Sequence, residues 1–150
     1  MNIMEQDVLR WVHILAMVYW LGGEWGVFQT SYNVTNGALS LEERRRHMET
    51  AYRIDILART GIVLLLPLGL HMGQIYGFAP FLDGWIAPMW LFFIAWLALT
   101  WSAFVFRETD RGIRLTTLEE YLRYGLIAAI FAAGISSMIG RGPFEVSEGT

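Results

Sequence analysis

Two histidines, His13 and His71, lie inside apolar stretches of this sequence, where an ionisable side chain is costly and therefore suggests a function. Both are predicted about six residues from the same end of neighbouring antiparallel helices, roughly 9 Å below one membrane boundary. Two imidazoles at one depth can hold a shared metal, and an iron porphyrin with two axial histidines is a common example. Hydrogen bonding of the histidines to the backbone or to each other is the structural alternative. His47 lies beside Arg44–Arg46, and a solvated position explains it.

The face of the first helix that carries His13 contains further candidate residues. At about 100° per residue, Met17, Trp20 and Glu24 project close to the direction of His13, so they form one inward stripe. Met17 and Trp20 are predicted to line the ligand pocket. Glu24 lies about 16 Å deeper than His13 and should be level with Arg59 of the second helix. We expect these two charges to form a structural ion pair, because pairing offsets part of the cost of burial.

Small and basic residues complete the predicted pocket. Gly69 and Gly73 lie four residues apart around His71, and small residues allow a porphyrin plane or another helix to approach the backbone closely. Arg10 and Arg141 flank the same membrane boundary, where they could hold the propionates of a haem.

The elements that must position these residues are long apolar helices. The chain has 150 residues, of which 55% are hydrophobic, and its mean hydropathy is +0.40. That composition is too apolar for a soluble domain of this size. Four stretches are long enough to cross a hydrocarbon core of about 30 Å. We therefore expect one all-α membrane domain over 1–150, an antiparallel bundle of four transmembrane helices at 8–29, 54–77, 86–106 and 122–140.

Charge predicts the orientation of this bundle and excludes several functions. All 11 basic residues are Arg, and nine of them lie in or beside the first and third helix connections. The positive-inside rule places these connections in the cytoplasm and both termini on the outer, periplasmic side, as in a bacterial inner membrane. A net charge of −3 argues against nucleic-acid binding. The absence of Cys excludes disulfides and thiolate metal sites.

Signals in the connections predict where some helices begin. Ser40 followed by Glu43 is a capping-box pattern, which predicts a short amphipathic cytoplasmic helix before the second span. Thr117 gives a weaker start signal for the fourth helix. Trp85 and Trp90, with Trp11, are predicted to anchor the chain at the membrane interface.

The first half of the chain resembles a known group of small membrane proteins. Trp-Val-His-Ile-Leu at 11–15 and Trp-Leu-Gly-Gly at 20–23 resemble the first helix of the copper-resistance D-like group and of the oxygen-independent protoporphyrinogen oxidase HemJ. The run 59–71 is similar to the second helix of the same group. The resemblance implies a b-type haem held by His13 with His71 as its partner. The chain has no Lys, unlike HemJ, so the resemblance gives no support to protoporphyrinogen oxidation.

These observations predict a membrane protein that binds one haem b through His13 and His71 and transfers electrons. If the protein is an enzyme, it is expected to be a haem-dependent membrane oxidoreductase. One alternative is a copper-handling or transport protein that uses both histidines with Met17 and Met72, because thioethers and imidazoles suit Cu(I). Another is a haem-free accessory subunit of a larger membrane complex. The expected partners are the lipid bilayer, a quinone or redox protein, and a second copy of the chain.

Overall fold

A computed structural model describes residues 3–140, and every regular element in that range is helical. The four long helices are α1 (Ile3–Thr35), α2 (Leu41–Ile75), α3 (Ile86–Val105) and α4 (Asp110–Met138). A short 3-10 turn, Pro80–Leu82, lies in the connection between α2 and α3. The predicted all-helical architecture is confirmed.

Three of the four helices are long and apolar enough to cross a membrane. These are α2, α3 and α4, and they indicate a multi-pass membrane protein in contact with lipid. Helix α1 is long but is not among them, because His13, Glu24 and its tryptophans reduce its apolar character. The crossing of the membrane by α1 therefore stays a prediction.

Helix α1 packs closely along α2, and glycines make the close approach possible. A Cβ built on Gly61 of α2 would lie 2.5 Å from the carbonyl oxygen of Ala16. A Cβ built on Gly23 of α1 would lie 2.7 Å from the Cβ of Ala58. Real Cβ atoms do not come this close to their neighbours, so a side chain at either position would push the two backbones apart. These two contacts fix the antiparallel register of α1 on α2.

The hydrophobic core lies among α2, α3 and α4. Its buried centre is Val63 of α2 with Phe93 and Trp96 of α3, and the two aromatic rings stack with centroids 5.9 Å apart. Leucines of α4, Leu122 and Leu126, pack against this centre. Among the described residues, α1 contributes Ala16 alone to the buried hydrophobic set. Helix α1 therefore packs on the face of α2 that points away from the core, and the core is shared by α2, α3 and α4.

The N-terminus of α2 confirms the predicted cap but extends the predicted helix. The side chain of Ser40 accepts a hydrogen bond from the backbone of Glu43, whose carboxylate accepts one from the backbone of Ser40. A separate amphipathic helix does not form, because no glycine or proline interrupts the chain between Ser40 and the apolar segment. Instead α2 is continuous from Leu41 to Ile75, about 52 Å at 1.5 Å per residue. Its charged first turns, 41–53, therefore project beyond a hydrocarbon core of about 30 Å.

Helix α4 begins earlier than the sequence suggests. Thr109 caps it, with the side-chain oxygen accepting a hydrogen bond from the backbone of Gly112 at 3.2 Å. The predicted start at Thr117 is wrong, because Thr109 supplies the N-cap and the polar residues that follow it continue as helix. The first turns of α4 carry Asp110 and Arg111, so they form a charged extension like that of α2.

The two Arg-rich connections lie at the same end of the molecule. Arg107, which follows α3, donates hydrogen bonds to both carboxylate oxygens of Glu49 on α2, each at 2.9 Å. This contact joins the extension of α2 to the connection between α3 and α4. The positive-inside argument requires both Arg-rich connections to lie on one side of the membrane, and their position at one end of the molecule meets this requirement. Which side of the membrane that is stays a prediction.

Candidate functional site

His13 lies against α2 with one nitrogen unsatisfied. Its Cε1 is 3.4 Å from the position that a Cβ on Gly69 would occupy, so the ring uses the space left by that glycine. Its Nδ1 is buried and has no hydrogen-bond partner among the described residues. Leaving a buried polar atom without a partner costs about 1–3 kcal/mol. The ring of His13 points towards α2, which agrees with its predicted inward direction, and its contact with Gly69 is a finding of the structure.

His71 has polar neighbours on both ring nitrogens. Its Nδ1 accepts a hydrogen bond of 3.3 Å from the indole N–H of Trp90 on α3. Its Nε2 lies 3.9 Å from a carboxylate oxygen of Glu5 on α1. The side chain is 16% exposed. Trp90, predicted as a membrane anchor, thus also fixes the ring orientation of His71, and His71 links α2 to both neighbouring helices.

The two histidines lie at the same end of the molecule but on different faces of α2. His13 contacts the face that carries Gly69, which also packs against α1. His71 follows two residues later, so its side chain leaves α2 about 200° away from Gly69 and reaches Trp90 of α3 as well as Glu5 of α1. Within residues 3–140, no group of three or more His, Asp or Glu residues is placed to hold a metal ion. Shared ligation of one iron by both histidines stays a prediction.

The other predicted pocket residues contribute to packing. Gly73 faces the connection after α2, where an added Cβ would meet that of Ala79 at 3.7 Å. Trp20 lies beside Gly61, with its Cβ 3.2 Å from the position of an added Cβ. Met17 is 43% exposed. Trp20 thus packs in the contact between α1 and α2, and Gly73 packs against the connection after α2.

The arginines predicted at this end are only partly described. Arg10 donates a hydrogen bond of 3.0 Å to the hydroxyl of Tyr76, the C-cap residue of α2, and lies 3.8 Å from Asp7. Arg10 is therefore at the same end as His71, as predicted, and fastens α1 to α2 there. Arg141 falls outside the described residues.

Arg59 has carboxylate partners other than the predicted Glu24. Its Nε donates to Asp55 at 2.7 Å, and its Nη1 lies 3.7 Å from Glu119 of α4. Glu24 is exposed. The reason is helical geometry: Ala58 already occupies the α2 face that meets α1, so the next residue leaves α2 about 100° away from α1.

Glu119 is the centre of a charge network at the Arg-rich end. Its side chain is only 5% exposed and accepts a hydrogen bond of 2.6 Å from Arg123, one turn further along α4. Together with Asp55 and Arg59 it forms a chain of alternating charges that connects α2 with α4. Sequence reasoning missed Glu119 because it was taken as part of a helix start. The pairs at spacing four, Asp55 with Arg59 and Glu119 with Arg123, were the available signal.

A cavity of about 150 Å³ lies beside this network, between α2, α3 and α4. Its apolar wall includes Ile56, Ala103 and Phe104. Its polar wall includes both partners of the Arg59–Glu119 contact and the hydroxyl-bearing residues Tyr52, Thr100 and Thr116. Charged side chains and apolar surface meet in this partly open cavity.

The ion pair of Arg107 with Glu49 lies beside this cavity, whose wall includes Arg107. Glu49 lies in the charged extension 41–53, outside the apolar segment of α2. The hydrogen bonds from Arg107 lower the pKa of the Glu49 carboxyl below its ordinary value, and Arg53 adds to this effect. The guanidinium of Arg107 also lies over the ring of Phe104, 4.8 Å from its centroid. Glu49 is thus held as a carboxylate at neutral pH.

Comparison with known proteins adds no relative to these observations. No protein-family model matches the chain, and neither a curated protein nor a solved structure matches it. The resemblance of the first two helices to the copper-resistance D-like and HemJ group stays a prediction from the sequence.

Proposed function

We propose that this multi-pass membrane protein binds one b-type haem per chain and serves in electron transfer. The single observation that carries the proposal is the buried Nδ1 of His13, which has no partner among the described residues. An imidazole that is buried, unsatisfied and set against a glycine has a site for a further bond. A metal centre between helices would use it.

The surroundings of His13 fit a haem ligand. The ring occupies the room that Gly69 leaves beside the α2 backbone, so the glycine lets the imidazole lie close to α2. The neighbouring exposed surface of α1 is apolar, including Leu15 and Val12. Apolar surroundings exclude water from a porphyrin and influence its reduction potential.

His71 fits as the second ligand only after a change of hydrogen bonding. A neutral imidazole whose Nδ1 accepts from Trp90 carries its proton on Nε2. Ligation through Nε2 requires that proton to move to Nδ1, which could then no longer accept from the indole. In the haem-bound form, Trp90 is therefore expected to release Nδ1 of His71.

The bound haem would supply a one-electron couple. The protein would hold the group through His13 and His71, exclude water with the apolar sides of α1 and α2, and place Arg10 near that end of the molecule. Arg10 now donates to Tyr76, and the same guanidinium could pair with a propionate.

Absorption spectroscopy of the protein purified in mild detergent after expression with added haem precursor tests this proposal. We expect a red protein with a Soret band that shifts on reduction by dithionite. His13→Ala should lose the haem, and His71→Ala should lose it or give a five-coordinate spectrum. His47→Ala is the matched control, because His47 lies in the charged extension of α2, and its spectrum should equal that of the wild type.

Three results would contradict the proposal. Unchanged spectra in both histidine variants would remove these residues as ligands. A colourless protein carrying copper in equal amount would favour copper handling through the same histidines. A protein that carries neither haem nor copper would favour the role of an accessory subunit.

A further inference from the structure

We propose that the cavity beside Arg59 and Glu119 binds one uncharged six-membered ring that carries oxygen acceptors, the chemistry of a quinone or quinol head group. The site does not depend on the haem proposal. Arg59 is ten residues before Gly69 on α2, so the cavity lies roughly 15 Å from His13 along the helix axis. Size, unused hydrogen-bond groups and charge balance together define the ligand.

The size of the cavity selects a single ring. Its volume is about 150 Å³, and an apolar cavity of about 150 Å³ in another protein holds one benzene molecule. The walls formed by Ile56, Ala103 and Phe104 provide apolar surface for the faces of such a ring. Porphyrins and other large fused ring systems do not fit.

Hydrogen-bonding groups on the wall have unused capacity. A guanidinium has five N–H donors, and among the described residues Arg59 uses only Nε in a hydrogen bond, to Asp55. Its Nη1 is 3.7 Å from Glu119, too far for a hydrogen bond. The hydroxyl of Tyr52 has no hydrogen bond within residues 3–140. These donors match carbonyl oxygens on the ring, and the free oxygens of Asp55 and Glu119 match ring hydroxyls.

The charges around the cavity balance, which favours an uncharged ligand. Arg107 is already bound by both oxygens of Glu49, and Arg123 is bound to Glu119. An ion placed among matched pairs would have to leave water without gaining a free counter-charge. The balanced set consists of three arginines and three acids: Arg59, Arg107, Arg123, Glu49, Asp55 and Glu119.

The test is direct titration of the full chain in detergent with 1,4-benzoquinone, a single ring close to benzene in size, followed by quenching of tryptophan fluorescence. The chain has no Cys and no Lys, so side-chain adducts of the quinone at these residues do not arise. We expect saturable binding by the wild type. Arg59→Gln should weaken it by about 10- to 100-fold, the usual effect of losing a hydrogen bond from a charged donor.

Two further variants separate binding from folding. Arg53 lies six residues before Arg59 on α2 and pairs with Glu49 at the same spacing of four residues. Arg53→Gln should leave the affinity for the quinone unchanged. The double variant D55N/R59Q removes both members of one ion pair and leaves Glu119 bound to Arg123, so it should fold even where R59Q does not, and it should still lose binding.

Several results would overturn the proposal. Absence of saturable binding by the wild type, or equal affinity in D55N/R59Q, would mean that the network only holds α2 to α4. Equal losses in R53Q and R59Q would place the site elsewhere. Benzoate binding more tightly than the quinone at the same site would show that the cavity selects anions.

Discussion

At the scale of single residues, glycines decide how deeply α1 docks on α2. Gly61 and Gly23 lie where the two backbones are closest, and neither position has room for a Cβ. Gly69 plays a related part, since the ring of His13 occupies the space beside it. The same residue type thus serves backbone contact near the middle of α2 and imidazole placement about two turns later. Gly125 of α4 faces open space and has no such role.

Replacing Gly61 by Ala should destabilise the protein, whereas the same change at Gly125 should not. The added methyl group at Gly61 would meet the backbone of α1 at 2.5 Å, and such overpacking costs about 1–3 kcal/mol. At Gly125 the helix gains up to about 1 kcal/mol from the reduced flexibility of the unfolded chain. Thermal unfolding in detergent measures both. Equal melting temperatures for the two variants would contradict the close contact.

At the scale of elements, α2 is the central helix. It packs against α1 on one side and α3 on another, and its charged extension 41–53 reaches the connection after α3 through Glu49. The capping box at Ser40 starts this extension, so the ion pair with Arg107 is made by a helix that is already well formed. The extension therefore orients the α3–α4 connection relative to α2.

The link between Glu49 and Arg107 should weaken at acidic pH. Because Arg107 lowers the pKa of Glu49 in the folded protein, the stabilisation is complete above the ordinary glutamate pKa. It is lost as the pH falls through the lowered pKa. Glu49→Gln should therefore lower the melting temperature at pH 7 and have a shrinking effect below about pH 4.5, the ordinary value.

The control for this prediction is Glu108→Gln. Glu108 lies 3.9 Å from Arg107 but is 82% exposed, so its removal should change the melting temperature little at any pH. A Glu49→Gln effect that is constant from pH 7 to acidic pH would contradict a role for the ionised carboxylate.

At the scale of the whole molecule, α2, α3 and α4 form the hydrophobic core, and α1 packs against α2 outside that core. Helix α1 exposes large apolar side chains along its length, among them Trp11, Val18 and Trp25. In a bilayer these residues would face lipid, which agrees with a helix that crosses the membrane beside α2. A helix lying on the membrane surface could also turn this face towards lipid, so a measurement of topology is needed to separate the two arrangements.

Labelling of single cysteines should decide the topology, since the native chain contains no Cys. Asn36→Cys and Glu108→Cys, in the two Arg-rich connections, should react with an impermeant maleimide from the cytoplasmic side. Phe78→Cys should react from the opposite side. Met4→Cys should label like Phe78 if α1 crosses the membrane. Labelling of Met4→Cys and Asn36→Cys from the same side would show that α1 lies on the surface instead.

The sequence predicted the helices well and the side-chain partners less well. Long apolar runs, the cap at Ser40 and the inward direction of His13 follow from local patterns that one helix contains by itself. The starts of α2 and α4 were placed too late, because polar first turns resemble loops when they are read without their caps. The partner of Arg59 was misassigned because matching depth along two helices says nothing about the angle at which a side chain leaves its helix.

The sequence by itself determined that this is an apolar chain of long helices with two histidines inside apolar stretches and arginines concentrated in two connections. Those properties depend on composition and on periodicity along single helices, which the order of residues specifies directly. Only the tertiary structure decided that Arg59 meets Glu119, that Trp90 donates to His71, and that His13 retains an unsatisfied nitrogen beside Gly69. These contacts depend on how each helix is rotated about its axis, and that rotation is set by steric fit between neighbouring helices.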